Sequence, residues 1–348
     1  MTENLWTGGR RRRRGIALLA ATMLVVLAAC GSDGGTSSSS TADTGSEGTP
    51  AGELTHVALQ MHFLPEPAWG IHLYGIEHGI YEAHGIDLEL IPGQGSNFTM
   101  QQLNENQVQF GSASTIAYLA NRAEVGEGTT AVLAVIKEPQ AGILTTVEAD
   151  SLDDLVGTSV GMIPFSVSQV LLPVVLAENG LPADAITIEP VTYSFGLLFE
   201  GEVDGLEAHY GGNVATAEKA AAAAGVDVWF VALKDQGLVG HPQGLIVRDD
   251  VIEENPDLVR SMVAAMVESI QGAMAAPPEE IAALVAERAP ELSEEDIVAE
   301  WADLVPLMNE TGEIDETVIE TELGYVSEAL GITHDLTTDQ VYTNEFLP

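Results

Sequence analysis

Residues 55–91 read as a β-α-β unit, and a chain that opens this way points to a layered α/β architecture. Thr55-His56-Val57-Ala58-Leu59-Gln60-Met61 is a short β-rich run with apolar residues at Val57, Leu59 and Met61. Leu64-Pro65-Glu66-Pro67 breaks it, because two prolines rule out a continuing strand or helix. From Trp69 to about His84, Ile71, Tyr74, Gly75, Ile76 and Ile80 recur at helical spacing. Gly85 stands where a C-cap would, and Ile86, Leu88, Leu90 and Ile91 make a second strand. The turn after the first strand carries His62, Phe63 and Trp69 in place of glycines. Such a turn does not cradle phosphate; it offers apolar faces and polar tips to something flat.

Strands and helices keep alternating beyond it. About ten strands are expected before a helical tail over roughly 256–275, 278–288, 293–309 and 315–330. That is long for one sheet. Polar, Gly- and Pro-containing connections near 138–142 and 233–243 suit crossings between two lobes. The expected layout is lobe 1 over 54–140 plus 237–348, and lobe 2 over 141–236. Each lobe is expected to hold a mainly parallel sheet flanked by helices, with a helical C-terminal segment.

The first 30 residues have the pattern of an export signal. Arg10–Arg14 form a positive n-region, and the apolar run Ile16–Leu27 is too short for a good membrane span. Gly31–Gly52 is rich in Gly, Ser, Thr and Asp, so 31–53 is expected to be a flexible linker. Removing the five leader arginines from 12 basic residues, and Glu3 from 53 acidic ones, leaves 7 against 52, a net of −45. Nucleic acid is therefore a poor partner. Such charge speaks to solubility, and fits a salty medium. Cys30 is the only cysteine, so intrachain disulfides and Cys-based metal sites are excluded. No Gly-x-Ser-x-Gly, His-Glu-x-x-His or P-loop occurs. His72, His78 and His84 lie six apart, 240° of helix between each pair, and share no face.

Several stretches resemble one known family. Gly70–Leu90 (GIHLYGIEHGIYEAHGIDLEL) resembles a segment of bacterial ABC-importer solute-binding proteins. The branch is the one for thiamine pyrimidine precursors, riboflavin, taurine, alkanesulfonates and nitrate. Val108-Gln109-Phe110-Gly111, Gly201-Glu202-Val203-Asp204-Gly205 and the ending Tyr342-Thr343-Asn344-Glu345-Phe346-Leu347-Pro348 resemble further family motifs in the same order. Leu27-Ala28-Ala29-Cys30 resembles a lipobox, with Cys30 lipidated. The resemblance implies a two-lobe type II periplasmic-binding-protein fold and a lipid-anchored monomer at the outer face of the cytoplasmic membrane. It also implies a permease and ATPase as partners, a small-molecule ligand, and no cofactor, metal or catalysis. One departure stands out. Pyrimidine-precursor binders carry Asp-Trp-x-Pro-Asn after the first strand, where this chain has His62-Phe63-Leu64-Pro65-Glu66. An enzyme like thiamine pyrimidine synthase would need a Cys-rich motif that is missing after Cys30.

In open α/β sheets ligands bind beyond the carboxyl ends of the strands. That rule selects His62, Phe63 and Trp69, then Gln94, Ser96 and Asn97. It selects Ser112, Ser114 and Thr115 at a helix N-terminus, and Glu138 and Gln140 after the fourth strand. In the second lobe it selects Phe165, Ser166, Ser168, Tyr193, His209, Tyr210 and Gly211; the family has a Tyr-Gly or similar pair after that strand. Lys137 alone among the seven mature basic residues lies next to these turns. Anions want an arginine or several N–H donors. The aromatic turns instead suit a flat neutral or cationic N-heterocycle such as a thiamine pyrimidine precursor. An alkanesulfonate, taurine, nitrate or riboflavin is the alternative.

Overall fold

The structure, a computed structural model, describes residues 54–348 with the exception of Phe165. The leader, the lipobox at Cys30 and the 31–53 linker lie outside the described residues.

The chain first lays down β1 (Thr55–Gln60), α1 (Gly70–Glu77), α2 (Ile80–Ala83), β2 (Ile86–Ile91), α3 (Ser96–Asn104), β3 (Phe110–Ala113), α4 (Thr115–Val125) and β4 (Thr129–Ile136). A second series follows: β5 (Ala141–Thr145), β6 (Ser159–Met162), α5 (Val167–Glu178), β7 (Thr187–Pro190), α6 (Phe195–Phe199), β8 (Gly205–His209), α7 (Val214–Ala224) and β9 (Trp229–Ala232). The chain returns with β10 (Gln243–Arg248) and α8 (Asp249–Glu254). It ends in α9 (Pro256–Ala275), α10 (Pro278–Arg288), α11 (Glu294–Leu304) and α12 (Glu316–Glu328).

Two five-stranded sheets result, ordered β2-β1-β3-β10-β4 and β7-β6-β8-β5-β9. Both are mixed but mainly parallel in strand direction, as the sequence suggested, with one reversed strand in each. β1 runs parallel to β2 and β3, but β10 is antiparallel to β3 and β4. Likewise β6 is parallel to β7 and β8, and β5 is antiparallel to β8 and β9. In each sheet the reversed strand is the first one after a crossing from the other sheet, so it enters from the opposite end.

The opening helix is broken. His78 ends α1 and Gly79, at φ +67°, restarts the chain as α2; a left-handed residue there cannot continue a helix. The three histidines separate as their spacing required. His72 is buried, whereas His78 and His84 reach out to Glu280 and Glu268 at 2.7 and 2.9 Å. The core of the first layer joins Trp69, Ile71, Tyr81 and Trp301 to Met262, Met266 and Ile270 of α9. Burying each large side chain contributes about 1.5–3 kcal/mol.

The tail helices do not stay with the first sheet. α9 and α10 pack on α1, but α11 packs on α7, and α12 packs on α4 and reaches α5. Glu300 Oε1 accepts the Thr216 N–H at 2.9 Å, and Lys219 Nζ donates to Asp296 at 2.7 Å. The last residues add to the first sheet: Tyr342 bridges Ala131, and Phe346 is buried with the Arg260 guanidinium 5.4 Å from its ring centre. Among the described residues no helix is long and apolar enough to cross a membrane.

Candidate functional site

Both crossings, the turns after β1, β3 and β8, and the start of α5 converge on two neighbouring cavities. The first, about 180 Å³, is walled by Ser114 and Ile116, by 139–141 and 238–242 of the crossings, by Val167, Ser168 and Leu171, and by His209 and Glu322. The second, about 300 Å³, is walled by His62, Phe63, Glu66 and Ala68 on one side and His209, Gly211 and Gly212 on the other. Gln140, His209 and Pro242 line both, which makes them compartments of one cleft. Drug-sized pockets run from about 300 to 1,000 Å³, so the first compartment suits a single ring or a short chain.

The polar groups are fixed by local chemistry. Gln140 is held to the turn after β8 twice: its Nε2 donates to the Tyr210 carbonyl at 2.8 Å, and its own carbonyl accepts the Tyr210 N–H at 3.0 Å. His62 Nε2 lies 2.9 Å from Glu66 Oε1 across one turn of chain. Ser166 caps α5 by accepting the Gln169 N–H, and donates to Glu207 Oε2 at 2.7 Å. Glu207 is 2% exposed, takes the Ile163 N–H as well, and stands 3.8 Å from His209 Nε2. Ser168 Oγ is 3.4 Å from the same His209 nitrogen. Desolvation in the cleft holds the His209 imidazole below its ordinary range, against the pull of the Glu207 and Glu66 carboxylates. Gly211 turns the chain at φ +71°, and a Cβ there would sit 2.7 Å from Leu304, so the turn needs glycine and lines the cleft with backbone.

Of the residues selected from sequence, His62, Phe63, Ser114, Gln140, Ser168, His209 and Gly211 line the cleft. Others are placed elsewhere. Trp69 is 1% exposed and belongs to the core beside α10 and α11. Gln94 and Asn97 point into solvent. Ser96 Oγ is used by the Ser114 N–H at 3.0 Å, and Ser112 Oγ by Gln243 Nε2 at 2.8 Å. Thr115 is spent on the second crossing, its hydroxyl and N–H both donating to the His241 carbonyl, at 2.6 and 3.1 Å. Ser166 caps a helix behind the cleft wall. Glu138 pairs with Lys234 at 3.3 Å and lines a further groove that meets the first compartment only at His241. Tyr210 packs edge-on against Phe230, and Tyr193 edge-on against Phe195. Burial, with Glu207 and Glu300 nearby, pushes the Tyr193 phenol up. Phe165 is outside the described residues.

Sequence reasoning passed over Glu66, His241, Pro242 and Glu322. Glu322 carried a readable signal. It falls in the stripe Ile319-Glu322-Leu323-Val326, where α12 buries one face and a carboxylate is out of place. Among the described residues no group of three or more His, Cys, Asp or Glu is arranged to hold a metal ion.

The profile of the NMT1/THI5-like family matches residues 67–280, more than half of the chain. None of the curated proteins compared matches significantly. Solved structures match over most of their length. The periplasmic aliphatic sulphonate-binding protein SsuA of Escherichia coli gives a TM-score of 0.66 at 17% identity, covering 84% of this chain and 98% of its own. The alkanesulfonate-binding protein SsuA of Xanthomonas axonopodis pv. citri, bound to MOPS, gives 0.62 at 16%, covering 84% and 100%. A Candida albicans protein described as having the generic periplasmic-binding-protein fold gives 0.60 at 15%, covering 85% and 98%. At such identities the likeness speaks to fold. The chain is a member of the NMT1/THI5-like family, built on the two-lobe type II periplasmic-binding-protein fold of ABC-importer solute-binding proteins.

Proposed function

We propose that this protein is the extracytoplasmic solute-binding component of an ABC importer, and that it captures a small neutral or cationic N-heterocycle of the thiamine-pyrimidine-precursor kind. The two lobes, 54–140 plus 237–348 and 141–236, would close on the ligand and present it to a permease and its ATPase. Lipidation at Cys30 would hold the protein at the membrane. The reading involves no chemical step.

The observation that carries the ligand class is the lining of the cleft. Both compartments present carboxylates and imidazoles (Glu66, Glu322, His62, His209, His241) among apolar walls, and neither is lined by a lysine or arginine. An anion would be repelled there and would find few donors. The sulphonate-binding neighbours favour a second reading, an anion held at the N-terminus of α4. Two of the donors it needs are already used, since the Ser114 and Thr115 N–H groups donate to Ser96 Oγ and the His241 carbonyl.

The test is a thermal-shift panel of aminopyrimidine thiamine precursors, thiamine, riboflavin, purines, taurine, alkanesulfonates and nitrate. A ligand at about 100 times its Kd stabilises by about 2.7 kcal/mol. A rise with an aminated heterocycle, reduced by Phe63→Ala or His209→Ala, is expected. A rise with sulfonates or nitrate alone would overturn the ligand class.

A further inference from the structure

Glu322 and His241 form an incomplete pair. Glu322 comes from α12 and His241 from the second crossing, and both side chains are nearly inaccessible, at 4% and 3% exposure. Both line the 180 Å³ compartment. Glu322 Oε2 and His241 Nδ1 face one another at 3.7 Å, beyond hydrogen-bond length, and neither of these two atoms has a closed hydrogen bond. Burial, against the pull of the neighbouring His241, holds the Glu322 carboxyl above its ordinary range. Ser114 Oγ, lining the same compartment, is also buried and unpartnered.

A purely structural ion pair would look different. Charged N–H···O bonds close to about 2.7–2.9 Å, and a buried carboxylate is tolerated only when its remaining lone pairs are satisfied. Leaving a buried acceptor and donor unmet costs stability. The pair cannot easily collapse, because the His241 carbonyl is pinned by both donors of Thr115 and α12 is packed on α4.

We propose that Glu322 and His241 are a specificity subsite that reads an aminated ring edge, an N–H donor beside a ring nitrogen as in an aminopyrimidine or amidine. This rests on the importer reading above and names the chemistry its ligand presents. The ligand N–H donates to Glu322 Oε2. The adjacent ring nitrogen accepts from His241 in the tautomer protonated at Nδ1. Ser114 Oγ serves a further polar substituent. A ligand with only acceptors, such as a sulfonate, meets the carboxylate and is rejected. Because His241 stands in the crossing between the sheets, occupancy of the subsite also ties the ligand to the segment on which closure turns.

The experiment is isothermal titration of the full chain with 4-aminopyrimidine, pyrimidine and methanesulfonate, for wild type, Glu322→Gln and the exposed same-helix control Glu328→Gln. Wild type and Glu328→Gln should prefer 4-aminopyrimidine to pyrimidine by about tenfold or more, the range of a hydrogen bond to a charged group. Glu322→Gln should lose that preference, bind pyrimidine as wild type does, and melt no lower than wild type when free of ligand. A wild type that shows no preference for the aminated ring overturns the subsite. So does a Glu322→Gln variant that keeps the preference while melting lower, and so does one that fails to fold, since either marks a structural pair. Equal binding of 4-aminopyrimidine by wild type and Glu322→Gln removes the subsite and leaves the importer reading intact. Binding of methanesulfonate alone removes the ligand class of both.

Discussion

His72 shows how much one buried imidazole can weigh. It is 0% exposed, its Nδ1 lies 3.3 Å from the Tyr81 hydroxyl, and burial with His62 nearby lowers its pKa to about 4 from 6.5. Between those values the unfolded chain holds the proton and the native state does not. Stability therefore falls as pH drops through that window, by up to about 3 kcal/mol from this residue. Urea unfolding of wild type and His72→Gln at pH 7 and pH 4.5 checks this: the variant should lose less stability on acidification, and parallel losses would refute it. Residue-scale placement was only partly legible. Ser114 and Thr115 are adjacent, yet one hydroxyl lines the cleft and the other is bonded to His241. Trp69 was unreadable for a similar reason: an aromatic after a strand may face a cleft or a core, and only the positions of α10 and α11 made it core.

At the scale of elements, the packing of α1 on α9 turns on small residues. A Cβ on Gly75 would lie 2.0 Å from Ser269 Oγ and 2.6 Å from the Tyr81 ring. Gly→Ala inside a helix ordinarily stabilises by up to about 1 kcal/mol. Here overpacking should reverse the sign and cost about 1–3 kcal/mol. Chemical denaturation of Gly75→Ala measures it, and a rise in midpoint would show that α9 yields without cost. Most elements were legible because each has its own punctuation. Pro256 and Pro278 open α9 and α10 where the sequence placed them, and Ser151 and Asp154 close a capping box around the 3-10 turn Leu152–Leu155. α8 was missed, since it continues β10 through Asp249-Asp250 with no Gly or Pro between. The expected helix over 293–309 ends sooner as α11, with a 3-10 turn at Val305–Leu307 containing Pro306.

For the whole molecule, acidity dominates the electrostatics. Chain beyond the leader has 7 basic and 52 acidic residues, so most carboxylates repel without a partner. Raising NaCl from about 0.01 to 1 M shortens the Debye length from about 30 to 3 Å and screens that repulsion. Tm should therefore rise with salt, with the ligand-free protein as the sample; a flat or falling curve would show that the carboxylates are already compensated. The anionic surface also sets the ligand problem in proportion. A cleft without lysine or arginine inside an acidic protein would attract cations and amines from a distance, and the subsite proposed at Glu322 would then select among them at contact.

The sequence by itself determined the alternation of strands and helices, the positions of most turns and the sign of the electrostatic field. These depend on neighbours a few residues apart: periodicity, prolines, glycines and charge are local quantities. Tertiary structure decided the rest. It reversed β5 and β10, set α11 against α7 as well as α10, let α12 reach from α4 to α5, and brought His241 within 3.7 Å of Glu322, 81 positions away in the chain. Which polar groups are spent on other backbone, and which remain free to meet a ligand, depends on partners distant in sequence. That is why Thr115, Ser112 and Ser96 dropped out of the cleft while Glu322, a charge on an otherwise apolar helix face, entered it.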